Sequence, residues 1–174
     1  MTHRADLWLF TTCLVLRPVL EGEPVEPLAR LSAFVHGEPE PDGLSPVRLA
    51  EARRIVARSA ASFAAHGYGL WLLLPPGARE AIGWCGLKPG DDPAEPELMY
   101  GLVPGGRGSG HATEAVRAVI ALAFTLSATR RVWGAARPGN ASSTRVMERA
   151  GLTLEGLRIL DGDEYVVYAA RAPI

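Results

Sequence analysis

A glycine-rich loop near the middle of the chain lies between an apolar segment and an amphipathic one. The apolar segment is Leu98–Val103, and the amphipathic segment begins at His111. The loop between them contains four glycines: Gly105, Gly106, Gly108 and Gly110. Small residues allow the backbone to approach a ligand closely, and a helix that follows directs unpaired N–H groups and a partial positive charge at the loop. This arrangement predicts an anion site suited to phosphate groups.

Two well-known phosphate-binding patterns do not fit this loop. A Walker loop ends in Gly-Lys-Ser/Thr, whereas the only lysine of the chain, Lys88, lies in a different segment. The dinucleotide pattern Gly-x-Gly-x-x-Gly fails because His111 and Thr113 stand where its third glycine is required.

A third pattern, Arg/Gln-x-x-Gly-x-Gly/Ala, is matched by Arg107, Gly110 and Ala112. With this signature the chain resembles the GNAT superfamily of N-acetyltransferases, in which the loop holds the pyrophosphate of acetyl-CoA. Downstream, Asn140–Ser143 and Met147–Leu152 are similar to the N-x-x-S and (E)-(K/R)-x-G-F/L segments of one branch of that superfamily. This branch is the one similar to ribosomal-protein alanine acetyltransferases.

Hydrophobic periodicity and turn residues predict the elements that position this loop. Ser45 and Pro46 open a helix that ends before Gly67. Other helices are expected at Pro24–Phe34, Gly110–Leu126 and Asn140–Ala150, and a loop is expected at Gly37–Gly43. The predicted strands are Cys13–Pro18, Tyr68–Leu74, Ala81–Leu87, Leu98–Val103, Arg131–Ala136, Thr153–Leu160 and Glu164–Ala170, the last two joined by a tight turn at Asp161-Gly162.

The order of these elements predicts an α/β fold. The resemblance implies the same: a single N-acetyltransferase domain over residues 1–174, with a mixed, mostly antiparallel sheet flanked by helices. Two segments, Leu14–Pro18 and Ile82–Leu87, are similar to the first and third strands of the family branch. A chain of 174 residues, of which 48% are apolar and 21% charged, has the size and composition of one globular domain.

Charge and composition narrow the range of partners. The net charge of −1 argues against a general binder of nucleic acid or of membrane surfaces. No apolar run reaches the roughly 18–20 residues of a membrane helix, and no secretory signal is visible. Cys13 and Cys85 are expected to be buried free thiols in a reducing cytoplasm. The histidines His3, His36 and His66 show no metal-ligand spacing, so no metal is predicted.

The resemblance implies that acetyl-CoA is the co-substrate, held mainly by main-chain N–H groups of the loop. In the family, the strand before the loop separates from its neighbour after a bulge, and its backbone then faces the pantetheine arm and the thioester. Gly101 suits such a bulge, with close packing as the alternative. For Asn140 and Ser143, helix capping competes with cofactor contact. The residues assigned to the cofactor are Leu102, Val103, Arg107, Gly108, Ser109, Gly110, His111, Ala112, Asn140 and Ser143.

Four residues near the loop have ordinary structural explanations. His111 is expected to be a surface histidine at a helix start rather than a catalytic group, and Glu114 to complement the helix dipole. Tyr100 and Trp84 lie in predicted strands, and both are expected to be core aromatic residues.

Transfer of an acetyl group to an amine requires a neutral amine. Glu97, at the head of the cofactor strand, is the predicted general base, acting through water, and a plain strand-edge carboxylate is the alternative. Many family members have a tyrosine acid four residues before the glycine that Gly151 matches, but Met147 stands there and cannot donate a proton. Ser143 or bound water is therefore expected to take its place.

These observations predict an enzyme that transfers acetyl from acetyl-CoA to a primary amine by direct attack on the thioester. The acceptor is a protein N-terminus or a small-molecule amine. The missing tyrosine leaves a non-catalytic acyl-CoA-binding or sensing domain as the alternative. The family builds its amine pocket from segments that here correspond to Pro24–Ala65 and Pro89–Pro96, which match nothing specific. A homodimer through the last strands is also compatible with the sequence.

Overall fold

An eight-stranded sheet with four helices makes up the computed structural model, which describes residues 7–35, 44–126 and 128–173. The strands are β1 (Leu9–Phe10), β2 (Val15–Pro18), β3 (Leu70–Leu74), β4 (Gly83–Lys88), β5 (Glu97–Leu102), β6 (Arg131–Ala136), β7 (Thr153–Leu160) and β8 (Asp163–Arg171). The helices are α1 (Val25–Val35), α2 (Pro46–His66), α3 (His111–Leu126) and α4 (Ala141–Ala150). The predicted α/β fold with a mixed, mostly antiparallel sheet is confirmed.

The sheet has the order β1-β2-β3-β4-β5-β6-β8-β7, and β5 and β6 are its one parallel pair. Within the described residues these two strands are in register only at Glu97 and Trp133, where the Trp133 N–H donates to the Pro96 carbonyl (3.2 Å). From this closed end the two strands run unpaired toward Leu102 and Ala136. The sheet therefore contains a wedge-shaped opening at its centre.

Strand residues alternate between two apolar cores, one on each face of the sheet. Leu70 and Leu72 pack with α1 and α2, whereas Trp71 and Leu73 pack with α3 on the other face. The predicted apolar face of α3 is confirmed by these buried residues: Ala115, Val116, Val119, Ile120 and Ala123. No helix among the described residues is long and apolar enough to cross a membrane.

Local signals in the sequence place most boundaries correctly. Ser45 caps α2 by accepting from the Arg48 N–H (3.3 Å), and α2 ends before Gly67 as predicted. Gly151 ends α4 with φ 96°. The turn residues Asp161 and Gly162 have φ 52° and 88°, the left-handed pair that a type I′ hairpin requires. The loop expected at Gly37–Gly43 lies outside the described residues.

Two predictions about the strands are wrong. Cys13 is exposed because β2 begins only at Val15, and its N–H donates to the Glu114 carboxylate (2.7 Å); Cys85 is buried as expected. No bulge occurs at Gly101, since β5 pairs with β4 without a register shift through this residue. The short strand β1 was also not predicted, because two residues carry too little periodicity to be recognised.

Glu114 does more than complement the dipole of α3. Its carboxylate binds the turn between β1 and β2 through the N–H of Cys13. Burial raises the pKa of Glu114, but hydrogen bonds from Thr11 and Cys13 outweigh that effect and hold the pKa below its ordinary value. The carboxylate therefore fastens the start of α3 to the amino-terminal strands.

The closed end of the opening is fastened by a buried arginine. The side chain of Arg131 is only 7% exposed and contacts Glu155 on β7 (2.5 Å) and Glu95 in the loop before β5 (3.1 Å). The indole N–H of Trp133 donates to the Glu95 carbonyl (3.0 Å). Hydrogen bonds from Arg131 hold the pKa of Glu155 below its ordinary value. This cluster joins β5, β6 and β7 where the opening begins.

Replacing Arg131 by methionine is expected to lower the free energy of unfolding at pH 7 by about 2–3 kcal/mol. Loss of one partner from a buried pair costs roughly 3–5 kcal/mol, and Glu155 keeps a second contact with Arg171 (3.1 Å). The depressed pKa of Glu155 contributes stability above its unfolded-state pKa of about 4.5, and this contribution is lost as the pH falls through the folded pKa.

Urea denaturation between pH 7 and pH 3 measures both effects. The parent protein is expected to lose more stability over this range than Arg131→Met does. Arg137→Met is the control, since its pair with Asp163 is exposed on both sides and contributes under about 1 kcal/mol. If Arg131→Met and Arg137→Met lowered the free energy of unfolding at pH 7 by equal amounts, the role given to Arg131 would be contradicted.

Candidate active site

A cavity of about 520 Å³ lies where β5 and β6 separate. Its walls are the end of β5, the glycine-rich loop, the start of α3 and one face of α4. The predicted cofactor residues that line it are Leu102, Arg107, Gly108, Gly110, His111, Ala112, Asn140 and Ser143. Val103, Ser109 and Glu97 are not among the lining residues. The fold thus brings together most of a set of residues that spans more than forty positions of the chain.

The backbone of β5 turns hydrogen-bond donors toward this cavity. The Val103 N–H donates to Ile82 on the β4 side (2.9 Å), and successive strand residues direct their N–H groups to opposite sides. The N–H groups of Leu102 and Tyr100 consequently point toward the opening, where neither residue pairs with a described residue of β6. The Leu102 carbonyl points the same way, since it accepts from Nε of Arg107 (3.0 Å).

The loop owes its shape to glycine at two positions. Gly108 and Gly110 have φ of 86° and 83°, a left-handed conformation that costs other residues about 1–2 kcal/mol. The Gly110 carbonyl accepts from the Glu114 N–H (3.0 Å), so Gly110 caps α3 without a side chain. The first N–H groups of α3 are therefore left without a side-chain cap at the cavity wall. Such N–H groups at a helix start suit an anion, which is the ligand that the sequence predicts for this loop.

Two side chains brace the loop. Arg107 is bonded to the carbonyl of Leu102, and Nδ1 of His111 lies 3.3 Å from the Gly106 carbonyl. His111 is half-buried and lines the cavity, so it is a structural contact between loop and helix rather than a plain surface residue. The first contact keeps the loop close to the end of β5, and the second keeps it close to the start of α3.

The α4 wall combines a helix cap with basic side chains. Asn140 caps α4 by accepting from the Ser143 N–H (3.2 Å), so capping and a position in the cavity wall coexist. Arg145 and Arg149 line the same wall, and neither forms an ion pair with a described carboxylate. Neither arginine was predicted from the sequence. Arg145 follows Ser142 by three residues and Arg149 follows Arg145 by four, so helical spacing on one face was the available signal.

Tyr100 is a cavity residue and not only a core aromatic. Its hydroxyl donates to the Ser143 carbonyl (2.8 Å), which connects β5 to α4 across the opening. Burial raises the pKa of Tyr100 to about 12, so the phenol remains a protonated donor throughout the neutral range. The sequence prediction of a core aromatic residue is therefore incomplete, because the side of β5 that faces α4 is open to the cavity.

Glu97 lies at the closed end of the opening, on the other face of the sheet. It pairs with Lys88, which stands directly opposite on β4 (Nζ to Oε2, 2.6 Å). Trp84 stands opposite Gly101 and was predicted to be a core residue. It is half-buried and lines both this cavity and a second one beside α2.

The sequence model of the acetyltransferase (GNAT) domain matches residues 14–153, which is most of the chain. The chain belongs to the GNAT acetyltransferase family. No curated protein sequence gives a significant match to it.

Solved structures with the same GNAT fold cover nearly the whole chain. An acetyltransferase from Agrobacterium tumefaciens is 25% identical, with a TM-score of 0.73 and coverage of 94% of both chains. RimL, the ribosomal L7/L12 alpha-N-protein acetyltransferase, solved with coenzyme A, is 21% identical with a TM-score of 0.74 and covers 92% of this chain and 95% of its own. The ribosomal-protein-S5-alanine acetyltransferase of Vibrio fischeri is 14% identical, with a TM-score of 0.71 and coverage of 95% and 96%.

The structural neighbours of this GNAT domain therefore include ribosomal-protein acetyltransferases, in agreement with the predicted branch. In the part of the chain that the structure describes, no group of three His, Cys, Asp or Glu residues is arranged to hold a metal ion. His3 and His36 lie outside that part.

Replacing Tyr100 by phenylalanine is expected to lower the free energy of unfolding by about 1 kcal/mol, because the bond to the Ser143 carbonyl is lost. Urea denaturation of the GNAT domain measures the change. Tyr165→Phe is the control, since no hydrogen bond of the Tyr165 hydroxyl occurs among the described residues and its ring lies beside Arg137. A loss as large in the control would show that the contact across the opening contributes nothing.

Proposed function

We propose that this GNAT domain transfers an acetyl group from acetyl-CoA to a primary amine by direct attack on the thioester. The observation that carries the proposal is the opening between β5 and β6, with the glycine-rich loop at its wide end. Coenzyme A has a highly charged end and an acyl end, and these need different surroundings. The cavity offers phosphate-binding groups at one end and unpaired strand N–H groups along the other.

Charge and backbone geometry both support the assignment of the phosphate groups of acetyl-CoA to the glycine-rich loop. The loop and the first turn of α3 supply N–H donors and the positive end of the helix dipole. Arg107, Arg145 and Arg149 add positive charge on the surrounding walls. A coenzyme A complex of RimL, which shares the fold, supports the same assignment for this chain.

The unpaired edge of β5 supports the assignment of the acyl end of acetyl-CoA to this part of the cavity. From Leu102 to Glu97 the strand is about 16 Å long at roughly 3.3 Å per residue. The N–H groups of Tyr100 and Leu102 can bond to the extended arm in place of the absent β6 partner. A backbone donor aimed at the thioester oxygen contributes about 10²–10³-fold to acyl transfer in comparable sites.

Glu97 is the proposed general base, acting through water. A lysine-like amine with a pKa near 10.4 is only about one part in 2,500 neutral at pH 7, whereas an N-terminal amine near 8 is about one part in ten neutral. The Glu97 carboxylate lies 2.6 Å from Nζ of Lys88 on β4, and a carboxylate oxygen is a proton acceptor. The neutral amine nitrogen attacks the thioester carbonyl carbon and forms the C–N bond of the amide, while its proton passes through water to Glu97. The C–S bond breaks, and the leaving thiolate of coenzyme A takes up a proton.

Ser143 or bound water is the proposed source of that last proton. Met147 occupies the place of the usual tyrosine, and only 1% of it is exposed, so it neither donates a proton nor reaches the cavity. Ser143 lies in the cavity wall and carries a hydroxyl.

The proposal includes the wider setting of the enzyme. Residues 1–174 form one acetyltransferase domain that works in the cytoplasm, where the exposed thiol of Cys13 is stable in its reduced form. A homodimer through edge strand β7 is compatible with the exposure of Leu154, Leu157 and Ile159 on that strand.

Calorimetric titration with acetyl-CoA tests the cofactor assignment. Gly110→Ala is expected to weaken binding at least ten-fold. Gly110 has a left-handed backbone conformation, which is unfavourable for alanine, so the substitution should distort the loop at the start of α3. Gly105→Ala in the same loop is the control and should stay within two-fold, since its φ is not positive and an added Cβ has open space. Absence of binding at millimolar acetyl-CoA would overturn the proposal, and binding without thiol release for any amine would leave the acyl-CoA-binding alternative.

Replacing Glu97 by glutamine is expected to reduce kcat/KM for the amine about 10²-fold or more, because the amide cannot accept the proton. The affinity for acetyl-CoA should stay unchanged. Glu80→Gln, an exposed carboxylate outside both cavities, is the matched control. A rate equal to that of the parent protein would remove Glu97 from the mechanism.

A further inference from the structure

A third cavity, of about 670 Å³, borders the one assigned to acetyl-CoA. Its walls are the turn between β1 and β2, one face of α3 and the end of α4. Gly110, Thr113 and Arg149 line both cavities. The lining residues of α3 follow Gly110 by three, four, seven and eight positions, which is the spacing of one helix face. A ligand bound at the start of α3 can therefore reach from one cavity into the other.

The third cavity carries an excess of positive charge. Its charged lining residues are Arg117, Arg149 and Glu114. The Glu114 carboxylate already accepts from the Cys13 N–H (2.7 Å). Neither arginine forms an ion pair with a carboxylate among the described residues. Two cations thus stand against one carboxylate that has its own partner, and this balance favours an anionic ligand.

The two arginines reach this cavity from different helices. Arg117 is on α3, and its guanidinium donates to the Arg149 carbonyl near the end of α4. A guanidinium has five N–H donors in a planar fork, so this single bond leaves the others available to a second acceptor. Arg149 borders the place where the first and third cavities join. The hydroxyl of Thr113 at the same border is a further donor for an anion.

Coenzyme A carries phosphate at two places, a pyrophosphate and a single phosphate on the 3′ carbon of its ribose. The acyl arm is assigned to the opening between β5 and β6, and the pyrophosphate to the glycine-rich loop. The ribose then lies on the side of the pyrophosphate that is away from the opening. The third cavity meets this requirement, since it shares the start of α3 with the first cavity but has no lining residue from β5.

We propose that Arg117 and Arg149 bind the 3′-phosphate of acetyl-CoA, so that this chain selects coenzyme A over donors that lack this phosphate. The inference rests on the proposed acetyl transfer. The pyrophosphate is held mainly by main-chain N–H groups, whereas the 3′-phosphate is held by side chains. A phosphate monoester suits this arrangement because its oxygens accept charge-assisted hydrogen bonds from the guanidinium forks.

Calorimetric titration with acetyl-CoA and with 3′-dephospho-acetyl-CoA tests the inference. The parent protein is expected to bind acetyl-CoA about ten-fold more tightly, because the second compound lacks the charge-assisted bonds. This ratio should fall to about two-fold in Arg117→Met and in Arg149→Met. Both side chains are exposed, so neither substitution leaves a buried charge without its partner.

The possible results separate this inference from the proposed function. Equal affinities of the parent protein for the two compounds would overturn the inference alone. Binding of neither compound would overturn the proposed function and the inference with it. A ratio that stays at the parent value in both Arg117→Met and Arg149→Met would remove the two arginines from recognition of the phosphate.

Two further arginines provide matched controls. Arg145 is on α4 and lines only the first cavity, so Arg145→Met should weaken binding of both compounds by the same factor and leave the ratio unchanged. Arg54 is an exposed residue of α2 outside all three cavities, and Arg54→Met should change neither affinity. A fall in the ratio for Arg145→Met alone would place the 3′-phosphate in the first cavity and contradict the inference.

A conservative substitution and salt distinguish charge recognition from a structural effect. Arg117→Lys keeps the charge but loses the planar fork, so an intermediate ratio of about four-fold is expected. The ratio of the parent protein should decrease when NaCl is raised from about 50 to about 500 mM, because salt screens exposed charges. A preference that is independent of salt, with Arg117→Lys no better than Arg117→Met, would contradict recognition through charge.

Discussion

The site depends on an incomplete pairing between two adjacent strands. β5 and β6 are held together at Glu97 and Trp133 and are unpaired beyond that point. An unpaired strand edge inside a sheet is costly unless its backbone groups find other partners. Here the edge faces a cavity, and the same N–H groups that a β6 partner would have satisfied are free for an extended ligand. The proposed binding of acetyl-CoA thus depends on hydrogen bonds that the fold itself leaves unmade.

Both ends of this opening are held by specific side chains. At the closed end, Arg131 joins the loop before β5 to β7 through Glu95 and Glu155. Near the wide end, Tyr100 reaches across to the carbonyl of Ser143 on α4. The first contacts hold the closed end of the opening, and the second connects its two walls near the wide end. Because these contacts hold the site in place before a ligand binds, less conformational entropy is lost on binding.

Local chemistry explains which parts of the fold could be predicted from the sequence. Caps and turns depend on a few adjacent residues, so Ser45, Asn140, Gly151 and the Asp161-Gly162 turn were placed correctly. The glycine-rich loop was recognisable for the same reason, and most of the residues predicted to contact the cofactor line one cavity. Predictions that depended on where the sheet opens between β5 and β6 were less complete.

Alternation along a strand predicts which face a residue occupies, but not whether that face is covered. Tyr100 and Trp84 were placed in the correct strands, yet both line cavities. Helical spacing puts Arg145 on one face of α4, but only the packing of α4 brings that face to the cavity. The shared position of Trp84 has a thermodynamic consequence. Because Trp84 lines both cavities, an occupant of one that shifts the indole ring changes the free energy of filling the other, and this coupling has the same magnitude in both directions.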